Sequence, residues 1–148
     1  IWQVLVGKFT ASLGLYLLIE ACAFTLLGFL GVYTDLDWGP IFSAALAVLL
    51  MGATFISVGI FASSLTENQV IAVLLSFFLL ILLWVIDLAA KFSGPFVAGI
   101  LRYLSYLKHM SDMTRGVIDT SDIVFFLSMT GFFMFLTYAV LESRRWRQ

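Results

Sequence analysis

The sequence predicts an all-α integral membrane protein with four transmembrane helices and one short interfacial helix, forming a single transmembrane domain over residues 1–148. Three observations carry that expectation. Of the 148 residues 62% are hydrophobic and only 11% are charged, and the mean hydropathy is +1.08. A water-soluble domain of this size is covered by polar side chains, which this composition cannot supply. The few charges are also segregated: none falls between Asp37 and Glu67, and none between Glu67 and Asp87. A hydrocarbon core about 30 Å thick needs about 20 apolar helical residues to cross it, so each run can span. Finally, Thr66-Glu67-Asn68 between the two runs is too short to leave the membrane surface. The flanking runs must therefore form a tight antiparallel hairpin that turns at one face.

The first span covers residues 4–33, with Lys8 able to reach one interface and Tyr33 the other. Glu20 interrupts it near mid-depth. An ionisable group there costs about 2.5 kcal/mol or more unless it is paired or hydrated. It reads either as a polar lining of a transport pathway, or as a carboxyl hydrogen-bonded to a neighbouring helix. Thr34 to Pro40 (TDLDWGP) form a short acidic loop, in which Trp38 suits the interface and Pro40 falls where a first helical turn has no N–H to lose.

The second span covers residues 41–65. Ala45, Gly52 and Gly59 recur every seven residues and Gly59 pairs with Ser63, a small-residue stripe of the kind on which helices pack closely in lipid. The third, residues 70–88, is the most uniformly apolar and has no such stripe, so much of its surface is free to face lipid. Trp84 and Asp87 mark its far end.

Residues 87–122 differ in character. Pro95 can start a helix, and Phe96, Ile100, Leu104 and Leu107 follow helical spacing, with Tyr103 and Tyr106 alongside. At residues 95–110 this is too short and too charged to span, and reads as a helix lying in the interface or packed on the bundle. Ser111 to Gly116 (SDMTRG) read as a turn, and Thr120, Ser121 and Asp122 as capping residues of the last span, residues 122–141. The arginines beyond it, Arg144, Arg145 and Arg147, can hold anionic head groups.

Four spans leave both chain ends on one side. The Lys and Arg count is tied, Lys8, Arg144, Arg145 and Arg147 against Lys91, Arg102, Lys108 and Arg115. Position breaks the tie: three arginines crowd against the last span, the other four scatter through a long loop, and the acidic loop at Asp35 and Asp37 holds no Lys or Arg, which places both ends and the Glu67 turn in the cytoplasm and the 95–110 helix outside. The chain opens on Ile1 rather than Met and is apolar from the start, with no n-region and no small-residue cleavage site, so it is read as a fragment rather than as beginning with a signal peptide.

Recognisable chemistry is sparse. A net charge of −1 and no basic patch argue against nucleic acid. The lone Cys22 sits in an apolar run and reads as a packed hydrophobe. No Gly-rich phosphate loop is present, and no cofactor is expected. His109, in the interfacial segment without Cys or carboxylate partners at ligand spacing, reads as a solvated or interfacial histidine rather than a metal ligand. No span carries a histidine, which argues against an intramembrane serine protease. Asp87 reads as a helix end at head-group level. Glu67 and Asn68 read either as solvated residues capping the next helix or as a contact with a cytoplasmic partner.

Several motifs resemble one family. SSLTENQVIA with the LSF and LLLW-type run that follow, the earlier VGKF and DWGP, and RGVIDTSDIVFFLS through LESRRWR are similar to permease subunits of type-2 ABC exporters. The likeness is to the gliding-motility-type subfamily, grouped with permeases linked to multicopper-enzyme maturation, and it runs across essentially the whole chain. It implies a six-span bundle of which these four would be the third to sixth, the first two and their coupling helix being absent. It also implies a bacterial plasma membrane, a second permease subunit, identical or not, and no enzymatic activity in this chain, ATP being hydrolysed by a separate ATP-binding cassette subunit. The turn Ser64 to Gln69 would be a contact with that ATPase, with Thr66, Glu67, Asn68 and Gln69 as its candidates. No substrate-binding residue carries over, and Glu20 belongs to no matching motif. Two rivals remain: an ion-coupled secondary transporter using Glu20, which predicts helices broken at mid-depth, and a structural membrane-anchoring subunit.

Overall fold

The computed structural model describes residues 1–116 and 118–147, without the side chain of Tyr106. Among these residues there are six helices and no strand: α1 (Trp2–Leu30), α2 (Trp38–Leu65), α3 (Gln69–Phe92), α4 (Pro95–Leu104), α5 (Tyr106–Thr114) and α6 (Thr120–Arg145). Four of them, α1, α2, α3 and α6, are long and apolar enough to cross a membrane. The chain is a membrane-embedded all-α protein.

The helix boundaries follow from local chemistry. The carboxylate of Asp37 accepts from Gly39 N at 3.3 Å, so α2 starts at Trp38 and Pro40 lies in its first turn, where a missing N–H costs nothing. Asn68 caps α3, its side-chain oxygen accepting from Val70 N at 2.9 Å. The helix then runs on to Phe92 rather than ending at Asp87. Asp87 tolerates an interior position because the Ser105 hydroxyl donates to it at 2.9 Å and Lys91, one turn on, lies 3.6 Å away.

The single interfacial helix expected over 95–110 is two helices, broken at Ser105, whose backbone is extended. Its predicted apolar stripe faces outward, with Phe96, Ile100 and Leu104 exposed. Ala98, Ser105, His109 and Met113 turn inward instead, the last three at four-residue spacing. Helix α5 also absorbs most of the turn expected at 111–116. The chain reverses only at Arg115–Gly116, where Gly116 has φ +88, a backbone that side-chain-bearing residues rarely adopt. The cap of α6 is likewise one residue earlier than expected: Asp119 accepts from Ser121 N at 3.1 Å, which releases Asp122 for another role.

Helix α2 is the centre of the bundle, touching α1, α3, α5 and α6. A core of Ala47, Met113, Phe125 and Phe126 forms where α2, α5 and α6 meet, with Leu50, Met51, Met110 and Met129 packed around it. The α2–α6 contact is pinned by polar groups that would otherwise be stranded in an apolar interior. Thr54 Oγ1 lies 3.1 Å from Thr130 Oγ1 and 3.3 Å from the Phe126 carbonyl; the Ser43 hydroxyl ties α2 to α5 in the same way, donating to the Met113 carbonyl. Helix α1 is peripheral: Leu5 is its one buried residue among those described.

Candidate functional site

Two places gather polar side chains, one at each end of the bundle. At the first, the turn between α2 and α3 is held from both sides. The hydroxyl of Thr66 accepts from Asn68 N at 3.2 Å, closing the turn on itself, and Asn68 caps α3. From the far end of α6, the Arg144 guanidinium donates to the Leu65 carbonyl at 3.0 Å. That carbonyl belongs to the last turn of α2, which has no intrahelical partner of its own, and a cation there also meets the negative end of the helix dipole. The turn thus presents Glu67, Asn68 and Gln69, all exposed, and the half-buried Thr66 on a fixed frame. These are the four residues that the resemblance marks as candidates for an ATPase contact, and they lie together.

Beside this turn opens a cleft of about 630 Å³ between α1, α2 and α6. Val4, Leu5 and Lys8 contribute one face of α1, Gly59, Ile60, Ser63 and Ser64 the last turns of α2, Thr66 and Glu67 the turn, and Thr137, Leu141 and Arg144 one face of α6. The spacings of three and four residues are those of a single helix face. Trp2 packs edge-on against Tyr138, ring centroids 5.7 Å apart, which ties the start of α1 to α6. Ile1 also borders the cleft, and Lys8, Glu67 and Arg144 supply the charged side chains of the lining.

The small residues expected as one packing stripe lie in different settings. Gly52 is buried, and a Cβ there would fall 2.3 Å from the Tyr16 ring of α1. Tyr16 crosses this gap to donate its hydroxyl to the Val48 carbonyl at 2.8 Å. Ala45 is half-buried, while Gly59 has nothing within 4 Å of its missing Cβ. Gly59 and the exposed Ser63 border the cleft. A second buried line, Ser43, Ala47, Thr54, Val58 and Ala62, runs along α2. Thr54 is two positions beyond Gly52, and at about 100° per residue that is nearly the opposite side of the helix. Glu20 lies on α1, half-buried and one turn from Tyr16. Its Oε2 is enclosed without a hydrogen-bond partner, and it does not line the cleft.

At the other end of the bundle, the structure corrects the expectation of a solvated His109. The ring is 3% exposed, its Nδ1 bonds to Asp122 Oδ1 of α6, and its Nε2 lies 2.9 Å from the Tyr103 carbonyl. It also stacks on Phe125, centroids 4.1 Å apart. A carbonyl only accepts, so Nε2 donates to Tyr103, and Nδ1 and Asp122 Oδ1 are joined by the second hydrogen bond of the ring. The other carboxylate oxygen, Oδ2 of Asp122, is enclosed with no partner. Thirteen residues separate the two side chains, outside the i, i+4 spacings that mark a pair within one helix. The usable signal was the i, i+4 relation of Ser105, His109 and Met113. Among the described residues no group of three or more His, Cys, Asp or Glu could hold a metal ion. The pair joins α5 to α6 through a buried side-chain bond.

Comparison with family models, with characterised proteins and with solved structures returned no match.

Proposed function

We propose that this chain forms part of the membrane permease of an ATP-binding cassette exporter of the type-2, gliding-motility-like class, in a bacterial plasma membrane. The four spans are then the third to sixth of six, the two chain ends face the cytoplasm, and α4–α5 form an extracytoplasmic cap. A separate ATPase supplies the energy, and a second permease subunit, identical or not, completes the pathway. The reading is supported by the order of the motifs that resemble this family and by one observation above all. The exposed turn Thr66 to Gln69 is braced by Arg144 from the end of α6. A push on a braced turn moves α2, α3 and α6 together, which is what coupling ATP-driven closure to alternating access requires.

The test is purification of the full-length protein with its neighbouring ATPase gene co-expressed. Co-purification of the ATPase, lost in Glu67→Arg without loss of expression, is the expected result. An ATPase that binds equally well in the variant rejects the turn as the contact, and no ATPase in the preparation rejects the exporter.

A second reading rests on the unpartnered Oε2 of Glu20: an ion-coupled transporter in which this carboxylate carries the coupling proton or cation. Against it, α1 is one unbroken helix from Trp2 to Leu30, whereas such sites are commonly built on interrupted helices. Transport abolished by Glu20→Gln in a normally expressed protein, with no dependence on ATP, would establish the second reading.

A further inference from the structure

We propose that α5 is a strap across the end of the bundle away from the Glu67 turn. It holds α2, α3 and α6 at one spacing there, and it comes away from all three as a unit. The inference rests on the helices and the bonds between them, and not on the exporter reading.

Three polar bonds fasten α5, one to each of three spans. At its head the Ser105 hydroxyl donates to Asp87 Oδ1 of α3 at 2.9 Å. One turn on, His109 is bonded to Asp122 of α6. One turn further, the Met113 carbonyl accepts from the Ser43 hydroxyl of α2. Ser105, His109 and Met113 are all buried, and their four-residue spacing sets the fastenings along one face. The partners lie at one end of the bundle: Ser43 in the second turn of α2, Asp87 near the end of α3, and Asp122 in the first turn of α6.

Nothing local holds α5 in place. It has nine residues, and an isolated helix shorter than about 12 residues is marginal in water. Its N-cap makes no side-chain hydrogen bond. The backbone breaks on both sides of it, at Ser105, which is extended, and at Gly116, with φ +88. A short helix between two breaks keeps its place only through what it is bonded to. When one fastening is lost, the others must hold a helix that cannot hold itself, so the unit opens together. While α5 is docked, the ends of α2, α3 and α6 are joined through it, and any parting of the three at this end begins with its release.

The experiment takes the full-length protein with Cys22→Ser, and compares it with Ser105→Ala and Ser43→Ala, each of which removes one hydroxyl. The readouts are amide exchange and distances between spin labels on introduced cysteines. In each variant, exchange over 109–114 accelerates by about three- to tenfold along the whole helix. The turn farthest from the lost hydroxyl is included, while the centre of α2, near Thr54, keeps its protection. Labels at the exposed positions 42, 88 and 124 report on α2, α3 and α6 at the strapped end, and the distances between them broaden. The distance between the exposed positions 70 and 143, at the opposite end, stays as in the parent. Should one variant fail to fold, the other reports on the same helix from its opposite end.

Acceleration confined to the turn nearest the lost hydroxyl overturns the proposal, because the three bonds then act singly. So does unchanged exchange. Helix-wide acceleration with distances among 42, 88 and 124 as sharp as in the parent overturns it too, because the spans then keep their spacing without α5. Absence of the ATPase partner with these results intact rejects the exporter reading alone.

Discussion

His109 of α5 and Asp122 of α6 form a buried bonded pair, 3% and 2% exposed. Removing one member of such a pair strands the other in an apolar interior, at a cost of about 3–5 kcal/mol, whereas replacing both by hydrophobic groups of similar size is often neutral. His109→Leu and Asp122→Leu are each expected to lower stability by roughly that amount, and the double variant to recover most of it. Thermal midpoints of the four proteins in one detergent close the cycle. Additive losses would mean that the two side chains act independently, and that the bond between them is not what joins α5 to α6.

Gly52 and Gly59, seven residues apart on α2, are expected to respond in opposite ways. A methyl group at position 52 meets the Tyr16 ring at 2.3 Å, too close for any real contact, so Gly52→Ala must push the ring aside and breaks the Tyr16 hydrogen bond to Val48. The expected loss is about 1–3 kcal/mol. Gly59→Ala enters open space and gains helix propensity, so stability rises by up to about 1 kcal/mol. Tyr16→Phe, which keeps the ring and removes the hydroxyl, isolates the hydrogen bond at about 0.6 kcal/mol.

What the sequence disclosed and what it hid divide along one physical line. Spans separate from loops because a bilayer imposes a length and excludes charge, and both are visible in a linear string: the turn at Thr66 to Asn68 and the start of α2 beside Pro40 needed nothing more. The end of α3 was misplaced because Asp87 was read as a helix end at head-group level, and the start of α6 because Asp122 was read among its capping residues. Each is instead bonded to a side chain far away in sequence, Ser105 and His109, and periodicity cannot report such a partner. The break at Ser105 had the same effect on the cap. An outward apolar stripe on α4 was legible, whereas the inward face of α5 depends on where the helix restarts. At the turn, the four candidate residues were read together, but the brace from Arg144 was not, since 79 residues separate it from Leu65.

That brace can be tested directly. Arg144→Gln removes the cation from the end of α2 and leaves the Leu65 carbonyl to water. Because the guanidinium is exposed, the global cost is small, about 0.5–1 kcal/mol. The local effect is larger: amide exchange at Ser64 to Asn68 should accelerate in the variant while the centre of α2, near Thr54, keeps its protection. Arg144→Lys, which retains charge but not the planar fork, is expected to fall between the two. Unchanged exchange at the turn would show that Thr66 and Asn68 hold it unaided.

The bond from Arg144 to Leu65 also makes a prediction about sidedness. It joins the end of α6 to the end of α2, so Glu67 and Trp146 belong to one face of the membrane. Asp35 and Lys108, which follow the first and third long helices, belong to the other. With the single native cysteine removed as Cys22→Ser, cysteines introduced at the exposed positions 67 and 146 should react with a membrane-impermeant maleimide from the same side of sealed vesicles. Those at positions 35 and 108 should react only from the opposite side. The same labelling with inside-out vesicles must invert the pattern. Were positions 67 and 146 to label from opposite sides, α2, α3 and α6 could not cross as drawn, and the cleft at their shared end would not exist in the membrane.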